Sequence, residues 1–325
     1  MKKLTILIPE AKSNLSSIVG TYKIFNRAND YWESLGNEPI FTIQLAGVHE
    51  TVELYDGLFS IRPHTVISAV QQTDIIIIPS LQHDIIEPLQ NNRELIDWIK
   101  QQHSSGAEIA SICTGAFLLA ATGLLDGKKC STHWNAVEKF KELFPAVKVV
   151  PDKIITDEQG IYTNGGAFSF LNLILYLIEK YYDRQTAVYC AKVFQIDIDR
   201  NSQDPFTIFA GQKDHQDTVI QKAQAYIEDN ITEKLSVETL AATFMINRRS
   251  FDRRFIKATG NTPSHYLQRV RIEAAKKAFE TSSKTIHEIM YDVGYADIKA
   301  FREMFRKNTG LSPLEYKNKY NKKRI

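Results

Sequence analysis

Shifted by 50 positions, the last third of the chain falls on itself without a gap. Glu238 lands on Glu288, Phe251 on Phe301, Phe255 on Phe305, Lys257 on Lys307, Thr259 on Thr309, Gly260 on Gly310, Pro263 on Pro313 and Tyr266 on Tyr316. Eight identities at one offset mean two copies of one structural unit. Each copy reads as helix, tight turn, helix and stop. In the first, Ser236 is an N-cap ahead of the apolar face of Leu240, Ala241 and Phe244, and a turn at 245–247 leads into a second helix. There Phe251 and Phe255, four apart, share the buried face, while Arg248, Arg249, Asp252 and Arg253 point elsewhere. Gly260 caps that helix and Pro263 prevents its continuation. The second copy repeats the plan with Ile286, Ile289 and Met290, a turn at Gly294 and Tyr295, then Phe301, Phe305, Gly310 and Pro313. Residues 266–280 read as a long helix joining the copies.

A short helix, a turn and a basic second helix make a helix-turn-helix unit, whose second helix enters the DNA major groove. Two units on one connector present both recognition helices to successive groove faces, about 34 Å apart. Charge agrees: residues 1–214 carry 19 Lys and Arg against 25 Asp and Glu, and residues 215–325 carry 21 against 13. A basic module on a mildly acidic body is the footprint of nucleic-acid binding. The competing reading of the repeat is a helical bundle for protein contacts, against which the arginine- and lysine-rich outer faces argue.

Upstream, the pattern changes to strands alternating with helices. Residues 3–8 and 74–79 are short apolar runs, the second apolar on both faces as in a buried parallel strand, and 108–112 runs directly into Cys113. Amphipathic helices are expected at 20–35 and 87–102, and a further helix at 116–125. This alternation implies an α/β sandwich around a parallel sheet followed by an all-α domain. The expected division is 1–200, a polar linker at 201–217 containing Pro205 and Gly211, and 218–325. No signal peptide or membrane anchor is expected. The three cysteines, Cys113, Cys130 and Cys190, form no CxxC pair, which argues against a disulfide framework or structural zinc and for a cytoplasmic setting.

The segment SICTG puts Cys113 at a strand-to-helix turn, the position of a nucleophile elbow, where a helix N-terminus is expected to lower the thiol pKa. His133, 20 residues on, can return to the same rim. TNGGAF, residues 163–168, sets two glycines before a helix, which reads either as backbone amides that can approach an anion or as a plain strand-to-helix turn. With the strand ends, these give a pocket lined by Ser17, Ser80, Cys113, Thr114, His133, Asn164 and Gly165. Cys190 reads as core.

Two resemblances extend this reading. The runs INRRSFDRRFIKATGNTPSHYLQRVRIEAA and IHEIMYDVGYADIKAFREMFRKNTGLSPLEY resemble the AraC-type transcriptional regulators over about residues 218–320. The stretch SICTGAFLLAATGLLDGKKCSTHW resembles the PfpI/ThiJ branch of the class I glutamine amidotransferase-like fold, a flavodoxin-like parallel-sheet sandwich, over about residues 3–195. The combination looks like the GlxA-type regulators. Carried over by position, the recognition helices span about 247–257 and 297–307. The resemblance implies DNA contacts from Arg248, Arg249, Ser250 and Arg253 in the first and from Ile298, Lys299 and Arg302 in the second.

It further implies promoter DNA as partner, a homodimer, a small-molecule effector and RNA polymerase as a further contact, with no cofactor, metal or membrane. Cys113 and His133 fall on the family's elbow cysteine and histidine. Three positions depart from the pattern. Ser17 stands where PfpI-like enzymes carry an acid beside the cysteine, and Asn135 stands where amidotransferases carry Glu after the histidine. An amide cannot stabilise an imidazolium as a carboxylate does, so the triad is incomplete and no catalysis is expected. Glu10 is a weak substitute for the missing acid, since it ends the first strand. Glu303 stands where the AraC pattern is basic; a carboxylate there repels phosphate or accepts from a cytosine amino group, which implies weaker DNA contact by the second helix. The alternatives are a Cys113-dependent hydrolase or amidotransferase-like enzyme, or a Cys113 redox sensor coupled to DNA binding.

Overall fold

The computed structural model describes residues 1–10, 13–82, 86–200, 202–213 and 215–321. They divide into two compact units, Met1–Gln203 and Asp204–Ile325. In chain order the strands of the first unit are β1 (Lys2–Ile8), β2 (Phe41–Gly47), β3 (Val52–Leu54), β4 (Phe59–Ile61), β5 (Thr65–Val66), β6 (Ile75–Ile78), β7 (Glu108–Ile112), β8 (Lys129–Cys130), β9 (Lys148–Val149), β10 (Ile155–Asp157) and β11 (Ile161–Asn164). Its helices are α1 (Leu15–Ser34), α2 (Ile86–Asn91), α3 (Arg93–Ser104), α4 (Ala116–Ala121), α5 (Val137–Leu143), α6 (Phe170–Tyr181) and α7 (Arg184–Phe194).

Seven strands form one sheet in the order β10-β11-β7-β6-β1-β2-β5, parallel except for the antiparallel edge strand β10. The apolar runs explain its centre. Successive side chains of β6 face opposite sides, so Ile75 and Ile77 join one core with Leu4, Ile6 and Ile8, while Ile76 and Ile78 join the other with Leu7. α1, α6 and α7 bury against the first side, and α3, α4 and α5 against the second. This is the expected α/β sandwich, with one antiparallel edge. No helix among the described residues is long and apolar enough to cross a membrane.

Several boundaries differ from expectation. The helix expected at 87–102 is two helices, broken at Asn92. This buried amide donates to the carbonyls of Glu10 (2.5 Å) and Pro88 (2.8 Å) and accepts from Glu10 N (2.7 Å), tying the end of β1 to the break. The helix expected at 116–125 stops at Ala121, and Gly123 follows in the left-handed region. Two described residues of the segment read as a linker, 201–217, are packed into the units. Gln203 is inserted into the first unit, and Phe209 packs on the core of the second, where its N–H donates to Glu273 (3.1 Å).

The second unit comprises α8 (Thr218–Asp229), α9 (Val237–Thr243), α10 (Arg248–Thr259), α11 (Pro263–Thr281), α12 (Ile286–Asp292), α13 (Ile298–Thr309) and α14 (Pro313–Tyr320). Two cores stand side by side. One holds Leu240, Ala241, Phe251 and Phe255, the other Ile289, Met290, Phe301 and Phe305. The connector α11 serves both, giving Tyr266 and Leu267 to the first and Ile272, Ala275 and Phe279 to the second.

The repeat is not gapless in space. N-caps Ser236 and Thr285 lie 49 apart, whereas N-caps Asn247 and Asp297 lie 50 apart, so the second turn holds one extra residue. The Glu238 to Glu288 identity is therefore accidental. Glu288 closes a capping box with Thr285, and its structural counterpart is Thr239, whose N–H is bound by Ser236.

Candidate functional site

β7 delivers Cys113 to a sharp turn with φ 56°, the left-handed conformation that turns the chain from strand to helix. Gly115 permits the approach behind it, since a Cβ there would stand 2.5 Å from the Pro79 carbonyl and 2.9 Å from that of Ile78. Around the sulfur converge the hydroxyls of Ser80 and Thr114 and the backbone N–H groups of Thr114 and Gly166. These donors favour a thiolate, but burial outweighs them: Cys113 is 3% exposed and its thiol is pushed above the usual 9.0. The expected lowering is thus reversed. The turn after β7 is a short, buried 3-10 segment, and desolvation of the anion exceeds what the hydrogen bonds return.

Hydroxyl groups join the other strand ends. Ser17, in the first turn of α1, accepts from Ser80 N (3.2 Å) and donates to the Asn14 carbonyl (2.7 Å). Ser80 shares a hydrogen bond with Thr114 (3.2 Å), and Thr114 exchanges two with the backbone of Leu81 (2.6 and 2.9 Å). Thr132 donates to the Cys113 carbonyl (3.0 Å), which brings the 131–133 rim beside the elbow. Next to it His133 Nδ1 accepts from the backbone N–H of Asn135 (3.1 Å). Glu10 turns to His49 (2.6 Å) and supplies no acid to the cysteine.

Two expected lining residues are elsewhere. Asn164 is fully buried, and its amide donates to the Ile154 carbonyl (2.8 Å) and to Ser169 (3.1 Å), so it braces its own loop. Gly165 is covered by Gln203 and Ser131, and its N–H is spent on the Ile154 carbonyl (2.9 Å). Only Gly166 of the glycine pair turns its N–H to the sulfur, and α6 begins later, after N-cap position Ser169, so TNGGAF is no anion cradle.

Sequence reasoning missed Gln203. It is 1% exposed; Nε2 donates to the carbonyls of Thr132 (3.0 Å), Pro151 (3.0 Å) and Lys153 (3.2 Å), and Oε1 accepts from Trp134 N (3.2 Å). Nothing in a polar run distinguishes an amide that turns inward.

In the second unit, ion pairing sorts the arginines of α10. Arg248 reaches Glu238 on α9 (2.6 Å), and Arg254 grips Asp217 with two bonds (2.9 and 2.7 Å), holding its carboxyl below the usual range. Arg249 and Arg253 are exposed and form no ion pair among the described residues. Ser250 is half-buried and gives its N–H to Asn247 (2.9 Å). On α13, Lys299 and Arg302 are exposed, whereas Ile298 packs on the second core and is withdrawn from the DNA-contact set.

Residues 2–180 match the DJ-1/PfpI family, and residues 240–319 match a helix-turn-helix domain. The HTH-type transcriptional regulator GbdR of Pseudomonas aeruginosa is 27% identical over 227 residues, 69% of this chain. That match spans 61% of GbdR's own length. The isonitrile hydratase of Pseudomonas putida is 26% identical over 148 residues, 45% of this chain and 60% of that protein. A putative transcriptional regulator from Vibrio parahaemolyticus shares the fold with a TM-score of 0.53 and 24% identity, covering 59% of this chain and 98% of that one. With the elbow on β7 and two helix-turn-helix units after the sandwich, the chain belongs to the DJ-1/PfpI family and joins its fold to an AraC-type helix-turn-helix domain.

Proposed function

We propose that the protein is a sequence-specific, DNA-binding transcriptional regulator of the AraC type. Its first unit binds a small metabolite or mediates dimerisation, and it is not a catalyst. The observation that carries this reading is the division of labour on α10. Arg248 and Arg254 are held by acidic partners, while Arg249 and Arg253, one turn apart on one face, keep their guanidinium groups free for base edges and phosphates. GbdR and other relatives named as HTH-type regulators support it. Arg249, Arg253, Lys299 and Arg302 are the contacts we assign, in promoter DNA read by a cytoplasmic homodimer that engages RNA polymerase. Ser17, Ser80, Thr114, Cys113 and His133 are the effector pocket.

Similarity to an isonitrile hydratase favours one rival, catalysis at Cys113. Against it stand the burial of Cys113, which raises its thiol pKa, and the diversion of Glu10 to His49. Genome-wide mapping of bound DNA with the native chain and an Arg249→Ala, Arg253→Ala variant is the test. Discrete promoter peaks that vanish in the variant are expected. Identical profiles for the two proteins would overturn the assignment.

A further inference from the structure

α10 and α13 are built to one register. Each has twelve residues, an N-cap side chain that accepts from the third helical amide, and a left-handed glycine at its end. Buried Phe251, Phe255 and Thr259 match buried Phe301, Phe305 and Thr309 one for one. With the inner faces superposable, the outer stripes are too: Arg249, Arg253 and Lys257 correspond to Lys299, Glu303 and Lys307. The middle of the stripe is thus a guanidinium in one unit and a carboxylate in the other. Glu303 is exposed and forms no ion pair among the described residues, although Lys299 and Lys307 sit four residues to either side. Both its oxygens remain open as acceptors.

We propose that Glu303 is a specificity-determining residue that takes a cytosine amino group in the major groove, so that the two units of one chain read unlike half-sites. The inference rests on the DNA-binding reading above. A guanidinium only donates, which suits the O6 and N7 acceptors of guanine, whereas a carboxylate only accepts. Of the base edges, cytosine offers N4–H2 beside no competing acceptor. Adenine sets N7 next to its amino group, and guanine and thymine meet the carboxylate with acceptors. Repulsion from phosphate is offset locally, because α13 carries Arg302 and Arg306 where α10 carries Asp252 and Ile256. Position 253 therefore selects guanine in the first half-site and position 303 selects cytosine at the equivalent place in the second.

The test is selection from randomised duplex DNA with the full chain, its Glu303→Arg variant and an Arg253→Ala control. The native chain is expected to enrich a bipartite motif with cytosine at one position of the second half. Glu303→Arg should exchange that cytosine for guanine, leave the first half unchanged and reverse a preference of about tenfold between matched probes. Arg253→Ala should relax the first half alone. An unchanged second half in Glu303→Arg, with only a steeper salt dependence, would place residue 303 against phosphate and overturn the proposal. So would a native motif without cytosine there while the Arg253-dependent first half is intact, which leaves the DNA-binding reading standing. No enriched motif for the native chain would sink both.

Discussion

The amide of Gln203 lies against the backbone of Gly165, so close that a Cβ at position 165 would overlap its Nε2. That amide holds three carbonyls, of Thr132, Pro151 and Lys153, and Thr132 in turn holds the Cys113 carbonyl. The last residue of the first unit is thus wired to the rim of the elbow. Gly165→Ala should expel Gln203 and strand those acceptors, costing ~1–3 kcal/mol and lowering Tm by several degrees. Gln203→Ala should cost a similar amount, and the double variant little more than either, because both break one contact. Thermal unfolding of the three variants checks this, and full additivity would show that the two residues act separately.

Burial, not the elbow, sets the chemistry of the cysteines. Cys113 is held above 9.0, Cys130 is pushed up to about 12 and Cys190 to about 11, all by desolvation. A thiol with a raised pKa stays protonated below that value, so alkylation at pH 8 should be far slower than for free cysteine and should accelerate only as pH rises past 9. Mass spectrometry after iodoacetamide treatment should find the three sites unlabelled in the native protein and labelled in urea. Rapid labelling of native Cys113 would restore the nucleophile and redox-sensor readings.

The sheet's centre was legible because its strands are uninterrupted apolar runs, and the recognition helices because caps and paired phenylalanines recur. What misled was polarity without direction. Asn164 and Gly165 looked like pocket residues because a polar, glycine-rich strand end is common to ligand crevices and to braced loops; only the positions of Ser169 and Gln203 separate the two. Ile298 is a different failure. It lies three residues before Phe301, on the buried face by helical spacing, so the sequence already contained the correction that positional resemblance overrode. The extra residue in the second turn was hidden by the chance identity of Glu238 and Glu288.

Neighbouring arginines on α10 should separate cleanly. Arg253→Ala should weaken specific DNA binding by ~1–3 kcal/mol while leaving thermal stability nearly unchanged. Arg254→Ala should leave the footprint in place and cost the second unit only what a solvent-screened pair supplies, ~0.2–1 kcal/mol. Because Arg254 lowers the folded pKa of Asp217, that stability is present above the unfolded carboxylate value and lost as pH falls through the folded one. The difference between native and Arg254→Ala unfolding should therefore close below about pH 4. Binding isotherms and denaturant titrations on both variants test the pair, and a footprint lost in Arg254→Ala would reassign it to DNA.

The turns of the two helix-turn-helix units solve one backbone problem with different residues. Met245 and Gly294 each follow the C-cap of a first helix, at φ 52° and 81°. Each donates back to the helix, to Ala242 and Tyr291 (3.0 Å), and the next residues, Ile246 and Tyr295, donate to Ala241 and Met290 (2.9 and 3.0 Å). Glycine adopts this conformation without penalty, whereas Met245 bears its strain with a side chain 93% exposed and nothing gained from packing. Met245→Gly should therefore stabilise the second unit by ~0.5–1 kcal/mol, the relief exceeding the entropy added to the unfolded chain. Gly294→Ala should do the reverse and by more. Its Cβ would meet the Ile231 carbonyl at 2.5 Å and Arg271 Nη2 at 2.8 Å, dislodging a guanidinium that itself caps Ile231 and Glu233. Opposite shifts in the denaturation midpoint at constant slope are the expected outcome. Destabilisation by Met245→Gly would mean that the exposed methionine limits the unfolded chain more than it strains the turn.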